Sequence, residues 1–352
     1  FIEKKILEFS KGFNHYPPNE GTEGLLLAIA KWIKKRYNIS DLNPETDIVV
    51  LNGTREGLFN SALALSPRRK NSLKPAILIP NPFYQCYMVA ATAAGAEPIF
   101  VPATADSGFL PSFSKLPPNI LNRTTICYIC SPSNPQGAIA SEKYWENLFY
   151  LAEIYDFKIL ADECYSEIYR DKIPSGALEI LHKVGGDPER LIIFNSLSKR
   201  SNLPGLRCGF AAGGKDAIAE IKKLKSYSGS PCPIPLQHAA EAAWNDEIHV
   251  KKNRKLYQQK LNLADIILKN VENYETPQAG FFLWIPVRND ERAALDLWKN
   301  FGLKVLPGSY LSNKNHPTFE GEISKQNYIR VALVSSKNEI EFGLNSLAAY
   351  LS

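Results

Sequence analysis

The residues best suited to do chemistry lie in the segment 196–209, SLSKRSNLPGLRCG. Lys199 lies among small hydroxyl residues just past the apolar run 191–194, which is predicted to be a short buried strand. The segment has too few apolar residues for a core, although a polar loop with a solvated lysine would have the same composition. Because the Lys199 amine could form a covalent bond to a carbonyl ligand, we interpret the segment as a candidate site.

Four other polar segments also follow predicted strands. Taken singly, each could be a helix cap or a turn. Ligands of parallel sheets bind at the carboxyl ends of the strands, so the joint content of these segments is more informative than any one of them. They are residues 53–55, 81–84, 131–137 and 162–165.

One part of this set is suited to a phosphate group. The residues after position 52 begin a predicted helix, whose free amides and positive dipole end favour an anion. Serine hydroxyls and an arginine near Lys199 add donors, and a guanidinium matches phosphate oxygens well. The candidate phosphate-binding residues are Gly53, Thr54, Arg55, Ser196, Ser198 and Arg207.

The remainder is suited to a charged aromatic ring. Asp162 directly follows a buried apolar run, where a carboxylate is costly unless a cation such as a protonated ring nitrogen meets it. Asn134 and Tyr165 can donate hydrogen bonds to a ring oxygen, Tyr84 offers a stacking face, and Lys199 offers an amine for an aldehyde. Phosphate, ring nitrogen, ring oxygen and aldehyde together describe pyridoxal phosphate.

The elements that must position these residues alternate between strands and helices. Continuous apolar strands separated by helices predict an α/β fold with a mostly parallel seven-stranded sheet that is covered by helices on both faces. After about residue 215 the pattern becomes α+β. We therefore predict a large cofactor-binding domain of residues 11–255 and a smaller α+β domain of residues 256–352, to which residues 1–10 return. The predicted strands are 47–51, 76–79, 98–101, 124–130, 157–161, 191–194 and 208–212, followed by 281–285, 304–306 and 328–334.

The ordered motifs resemble the fold-type I pyridoxal-phosphate aminotransferases of class I/II along nearly the whole chain. They are NGTRE (52–56), NPFY (81–84), SPSNPQG (131–137), DECY (162–165), SLSKR (196–200) and YIR (328–330). The resemblance implies an aspartate aminotransferase-like fold in which Lys199 holds the cofactor, Asp162 pairs with its ring nitrogen and Tyr84 stacks on the ring. Lys199, Asp162 and Tyr84 are then the expected catalytic residues, with Asn134 and Tyr165 at the ring oxygen.

Two further roles follow from the resemblance. Arg330 matches an arginine that binds the substrate α-carboxylate, to which Asn134 also contributes. Tyr16 matches a tyrosine that reaches the cofactor phosphate of the neighbouring subunit, and this predicts a homodimer. The Gly-rich segment that lines the substrate pocket in this family would precede Phe1 and is not among these 352 residues. The sequence leaves open whether Arg288 or Lys314 meets a distal substrate carboxylate.

Within the family, four segments are typical of enzymes that transaminate N-succinyl-L,L-2,6-diaminopimelate with 2-oxoglutarate in lysine biosynthesis. The alternatives are an aminotransferase for aspartate, aromatic or kynurenine substrates, a pyridoxal-phosphate-dependent C–S lyase, or a regulator without catalytic activity. No DNA-binding extension is visible, which disfavours the last. The four segments are residues 81–85, 199–207, 243–250 and 306–311.

Composition excludes several other classes. The net charge of +5 is mild and contains no long basic block, so nucleic-acid binding is not indicated. No apolar run approaches the roughly 18 residues of a membrane span. The six cysteines and five histidines lack metal-binding spacing, apart from a Cys-x-x-Cys on a predicted strand. Reduced thiols in a cytoplasmic enzyme without a metal are the simplest expectation.

Overall fold

The computed structural model describes residues 1–313 and 327–351. Its centre is a seven-stranded sheet with the order β1-β7-β6-β5-β4-β2-β3. Only β7 is antiparallel to its neighbours β1 and β6, and the other pairs are parallel. This confirms the predicted α/β class and mostly parallel sheet. The strands are β1 (Ile48–Leu51), β2 (Ala76–Asn81), β3 (Glu97–Pro102), β4 (Thr124–Cys130), β5 (Lys158–Asp162), β6 (Leu191–Ser196) and β7 (Gly209–Gly213).

Helices cover both faces of this sheet because its strands are apolar on both sides. Ile48 and Val50 point into one core, while Val49 and Leu51 point into the other. Packing on two faces explains why the strands appear in the sequence as unbroken apolar runs. The helices of the chain are α1 (Ile2–Glu8), α2 (Glu23–Tyr37), α3 (Thr54–Leu65), α4 (Gln85–Ala93), α5 (Pro118–Leu121), α6 (Glu142–Tyr155), α7 (Ala177–Lys183), α8 (Leu197–Arg200), α9 (Lys215–Ser228), α10 (Ile234–Asn245), α11 (Ile248–Leu268), α12 (Asp290–Phe301) and α13 (Lys337–Leu351).

A second, three-stranded antiparallel sheet has the order β8-β10-β9. One of its faces packs against α11, α12 and α13 in a separate core that contains Leu283 and Ile329. Residues of β8 and β10 that alternate with these, such as Arg330 opposite Trp284, share the other face. The strands are β8 (Phe282–Val287), β9 (Leu306–Pro307) and β10 (Asn327–Ala332).

Two details differ from the sequence-based expectation. Residues 1–10, predicted to return to the small domain, instead place Ile2 and Ile6 against the large core, and Phe9 stacks on His238 of α10 at 3.8 Å. The predicted strand 304–306 is reduced to β9. The boundary between residues 255 and 256 falls within α11 and stays a prediction. Within the described ranges the helices are too short or too polar to span a bilayer.

Candidate active site

The predicted polar segments gather at one edge of the large sheet. Strands β1, β2, β4, β5 and β6 all run in the same direction, because β7 is antiparallel to both β1 and β6. Their carboxyl ends therefore lie at the same edge, and the segments that follow them line it. The candidate residues on these segments are Gly53, Thr54, Arg55, Tyr84, Asn134, Asp162, Tyr165, Ser196, Ser198 and Lys199.

Asp162, the last residue of β5, is 7% exposed and firmly held. Its Oδ2 accepts a hydrogen bond from the Tyr87 hydroxyl at 2.8 Å, and its Oδ1 accepts one from the Cys164 amide at 3.3 Å. Burial raises the pKa of Asp162, while the bonds from Cys164 and Tyr87 and the charge of Lys199 oppose the shift. A cation at this carboxylate would favour its ionised form.

Tyr87 was missed by the sequence analysis. It lies on α4, stacks on the Tyr128 ring at a centroid distance of 4.4 Å, and is buried. Burial, followed by the charge of Asp162, raises the pKa of Tyr87, so its hydroxyl remains a donor. In the sequence it is indistinguishable from an aromatic core residue, and only the packing of α4 on the sheet brings it to Asp162.

Lys199 lies on the short helix α8, directly after β6. Its Nζ is 5.1 Å from the ring centroid of Phe281 and 5.9 Å from that of Tyr165. Burial, the largest cause, lowers the pKa of Lys199, and the nearby Arg330 adds to the effect, while Cys164 and Asp162 oppose it. A half-buried amine with a lowered pKa is better suited to act as a nucleophile or base than a solvated lysine.

The start of α3 and the segment around Arg207 form a cradle for an anion. Gly53 has a φ of +82°, and no side chain caps the amides of the first turn of α3. An added Cβ at Gly53 would lie 2.2 Å from Nη2 of Arg207, so the backbone here must be bare for the guanidinium to reach it. Arg207 donates to the Asn52 carbonyl at 3.1 Å. Free amides, a helix dipole and a guanidinium together suit a phosphate.

Serine hydroxyls continue the cradle. Ser196 is the N-cap of α8 and accepts from the Ser198 amide at 3.1 Å, and the two hydroxyl oxygens are 3.0 Å apart. The Thr54 hydroxyl lies 3.2 Å from the Cys164 thiol. Ser196 is buried and Ser198 half-buried, and the Ser196 hydroxyl also lies 3.2 Å from the Cys208 carbonyl oxygen.

Two candidates are placed differently from the rest. The Arg55 guanidinium donates to the Tyr84 hydroxyl and lies 5.8 Å from its ring centroid, so it pairs with the proposed stacking residue. Tyr84 in turn meets Tyr87 edge to face at 5.7 Å. Tyr16 is fully exposed, so its side chain is not brought to the other candidates within this chain.

The opposite side of the cleft comes from the small sheet. Arg330 on β10 donates from Nη1 to Oδ1 of Asn134 at 3.0 Å, and its guanidinium lies 4.2 Å from the Phe282 ring centroid. Burial lowers the pKa of Arg330, and the neighbouring Tyr165 opposes this shift. The side-chain oxygen of Asn134 accepts from Arg330, and the side-chain nitrogen of Asn134 can donate to another ligand. Phe282 was also missed in the sequence.

Of the two candidates for a distal carboxylate, only Arg288 is among the described residues. Arg288 is exposed and lines a cleft of about 670 Å³ together with Arg292 and Tyr350, and none of the candidate site residues lines that cleft. Lys314 lies outside the described residues. The described residues contain no group of three or more His, Cys, Asp or Glu side chains arranged to hold a metal ion.

These groups fit pyridoxal phosphate. The bare backbone at Gly53 and Arg207 suits its phosphate, the buried Asp162 suits a protonated ring nitrogen, and the amine of Lys199 suits its aldehyde. The Arg330 guanidinium would remain available for the carboxylate of a second ligand.

Comparisons with known proteins agree with this chemistry. A family model described as Aminotransferase class I and II matches residues 2–347. LL-diaminopimelate aminotransferase 2 of Trichormus variabilis is 34% identical over 91% of this chain and 79% of that protein. LL-diaminopimelate aminotransferase of Moorella thermoacetica is 30% identical over 99% of this chain and 86% of that protein.

Solved structures match as well. An aminotransferase from Neisseria meningitidis has a TM-score of 0.93 and 34% identity, covering 100% of this chain and 88% of that one. Aminotransferase AspB from Helicobacter pylori has a TM-score of 0.90 and 32% identity, covering 100% and 89%. With a family match over almost its whole length, the chain belongs to the class I and II aminotransferases, enzymes that use pyridoxal phosphate.

Proposed function

We propose that the chain transfers the amino group of N-succinyl-L,L-2,6-diaminopimelate to 2-oxoglutarate, giving N-succinyl-2-amino-6-oxopimelate and glutamate. The general reaction is supported by the proximity of Lys199 to Asp162 and to Arg330, which pairs with Asn134. The donor is inferred from the segments typical of that branch of the family. It carries an α-amino acid end that suits Arg330, and the amine to be transferred lies beside that carboxylate.

Each residue of the cleft has a task in this proposal. Pyridoxal phosphate, when bound, would supply a carbonyl carbon for the donor amine and a ring that withdraws electrons from the donor α-carbon. Nζ of Lys199, with its pKa lowered by burial, takes the proton from that carbon and returns it as the amino group is transferred. Asp162 holds the proton on the ring nitrogen, and Tyr87 with the Cys164 amide orients the Asp162 carboxylate.

The substrate is oriented by a second set of residues. Arg330 binds the α-carboxylate through a bidentate ion pair, while Asn134 and Phe282 fix the plane of the Arg330 guanidinium. Tyr84 packs on the cofactor ring, and Arg55 holds the Tyr84 hydroxyl. We further propose a homodimer in which the exposed Tyr16 reaches the cofactor phosphate of the other subunit.

A second donor is favoured by the relatives. Two proteins that are 30% and 34% identical to this chain are named LL-diaminopimelate aminotransferases, so unmodified LL-diaminopimelate is the other candidate. The two donors share the reacting end and differ at the distal amine, which is charged in one and an uncharged amide in the other. Discrimination between them must therefore arise at the far end of the substrate.

The experiment that tests the donor uses purified protein loaded with pyridoxal phosphate. Glutamate formation from 2-oxoglutarate is measured with N-succinyl-L,L-2,6-diaminopimelate, LL-diaminopimelate, aspartate, phenylalanine and kynurenine. The proposal expects the largest kcat/KM with the first. A larger kcat/KM with any other donor would replace N-succinyl-L,L-2,6-diaminopimelate as the proposed substrate. Pyruvate release from cystathionine without a keto acid would identify a lyase instead.

The role of Lys199 is tested separately. Borohydride reduction of the loaded protein should fix the cofactor on the peptide that contains Lys199, as read by mass spectrometry. K199A should lose both this adduct and activity, whereas K260A, which changes a lysine on α11 that donates to the Leu333 carbonyl, should keep both. An adduct on another lysine, or an active K199A, would contradict the assignment.

A further inference from the structure

A cluster of polar side chains outside the cofactor cleft forms hydrogen bonds to the short helix that carries Lys199. Helix α8 (Leu197–Arg200) has only four residues, so it satisfies few of its own backbone groups and cannot fix its position alone. The neighbouring helix α11 supplies outside contacts from its first turns through His249 and Asn253. These residues touch neither the proposed cofactor cradle nor Arg330.

The first contact is a relay of three side chains. Oδ2 of Asp246 lies 2.6 Å from Nδ1 of His249, and Nε2 of His249 lies 2.8 Å from Oγ of Ser201. A carboxylate only accepts, so Asp246 places a ring proton on Nδ1, and in the neutral imidazole Nε2 then accepts from the Ser201 hydroxyl. Ser201 is the C-cap of α8 and is 8% exposed. The relay therefore ends at Ser201, the C-cap residue of the helix that carries Lys199.

The second contact comes one turn later on the same face of α11. Nδ2 of Asn253 donates to the carbonyl oxygens of Lys199 at 3.2 Å and of Arg200 at 3.3 Å. Carbonyl groups at the end of a helix have no partner within it, so this amide satisfies groups that α8 cannot. Together, His249 and Asn253 hold the chain from the Lys199 carbonyl to the Ser201 side chain, directly after the position from which the Lys199 side chain extends.

The same three residue types form nucleophile triads in hydrolases, but the surroundings here serve another purpose. Nη1 of Arg200 donates to the Ser201 oxygen at 3.2 Å and to the Ala243 carbonyl at 2.9 Å. Arg200 is itself fully buried and pairs with Glu247. A serine that is buried and bonded to both a guanidinium and an imidazole lacks the access that a nucleophile requires.

We propose that His249 is a positioning residue for Lys199, acting through its hydrogen bond to Ser201. This rests on the role of Lys199 proposed above. The Lys199 amine must reach both the cofactor aldehyde and the substrate α-carbon, and a misplacement of about 1 Å at a reacting group lowers a rate by about a hundredfold. Loss of the His249 bond therefore lowers kcat, while donor binding at Arg330 is preserved and KM changes little.

Matched substitutions separate this role from a general contribution to folding. Oε1 of glutamine can accept from Ser201 in place of Nε2, whereas Nδ2 of asparagine can replace Nδ1 and keeps only the bond to Asp246. We expect H249Q to keep kcat within about threefold of the wild type and H249N and H249A to lose about tenfold or more, the loss of one buried hydrogen bond. S201A removes the same bond from the other side and should resemble H249N.

Two further readouts are independent of turnover. Hydrogen exchange of a peptide spanning residues 197–203, measured without cofactor, should be faster in H249N and S201A than in H249Q, while a peptide of β5 stays unchanged. In the loaded protein, the pH at which the visible absorbance of the bound cofactor changes should move in H249N and not in H249Q. If H249A fails to fold, H249N and S201A decide the question.

The outcomes are distinct. Equal kcat and equal exchange in H249Q and H249N would overturn the proposal, because the bond to Asp246 alone would then suffice. Unchanged kcat in S201A would overturn it as well. A cofactor adduct on a lysine other than Lys199 would refute the proposed function, yet the exchange measurement on α8 would still report whether His249 holds that helix.

Discussion

The buried carboxylate of Glu163 should make the stability of the fold depend on pH. Glu163 follows Asp162 and is 1% exposed, with Oε2 accepting from the Tyr37 hydroxyl at 2.6 Å and Oε1 from the Ala177 amide at 2.7 Å. Burial raises the pKa of Glu163 from the ordinary 4.5 to about 7, against the opposing effects of the Tyr37 and Ala177 bonds and the charge of Arg36. Tyr37 and Ala177 can bond to a neutral side chain as well.

The sign follows from proton binding. Between the unfolded pKa and the folded one, the native chain holds a proton on Glu163 that the unfolded chain has lost. The contribution is therefore fully present below about pH 4.5 and is lost as the pH rises through about 7. At about 1.4 kcal/mol per pKa unit, the shift corresponds to about 3 kcal/mol in the free energy of unfolding.

The substitution that tests this is E163Q, which is neutral at every pH and nearly the same size. Urea unfolding is followed at pH 5, 6, 7 and 8 at one protein concentration, since the stability of a dimer depends on concentration. Wild type should lose about 2–3 kcal/mol more than E163Q across this range. E146Q is the control, because it removes one negative charge from a surface pair with Lys143. Parallel pH profiles for wild type and E163Q would refute the reasoning.

Two further predictions concern the cofactor. Y87F removes the hydroxyl that donates to Asp162. Because a hydrogen bond to a charged group contributes about 1.5–3 kcal/mol, we expect kcat, measured by steady-state kinetics, to fall by about tenfold or more. An unchanged kcat would exclude this contact from catalysis. G53A places a methyl group against Arg207 and should weaken cofactor binding in a spectral titration. G95A is the control, because Gly95 has a similar positive φ of +74° with open space around it. Equal losses of cofactor affinity in G53A and G95A would show that backbone strain, not the cradle, is responsible.

The sequence contained enough to predict the sheet and one side of the site. Apolar runs followed by polar residues indicated Asp162 and Lys199 at strand ends, and parallel strands must bring such ends together. Tyr87 could not be predicted, since a tyrosine on an apolar helix face is usually a core residue and its hydroxyl partner depends on how α4 packs. The relay through His249 was equally invisible, because Ser201 lies 48 residues away in the chain.

Helix α1 illustrates a different limit. The segment 1–10 is too short for a clear period, so its predicted placement with the small domain had no local pattern to support it. In the structure its apolar residues Ile2 and Ile6 pack against the large core, and α1 lies against α10. Tertiary contacts of this kind decide the position of a short amphipathic segment, and no local pattern encodes them.

The two sides of the cleft carry opposite unmet charges, and this explains how it would orient an amino acid substrate and the cofactor together. Asp162 is a buried carboxylate whose raised pKa reflects its need for a cation. Among the residues that the structure describes, Arg330 has no carboxylate partner, and its contacts are a neutral amide and an aromatic ring. In the proposed reaction, a cofactor ring bearing a proton would satisfy Asp162, and a substrate carboxylate would satisfy Arg330. Lys199, whose pKa is influenced by both of these groups, would transfer the proton between substrate and cofactor.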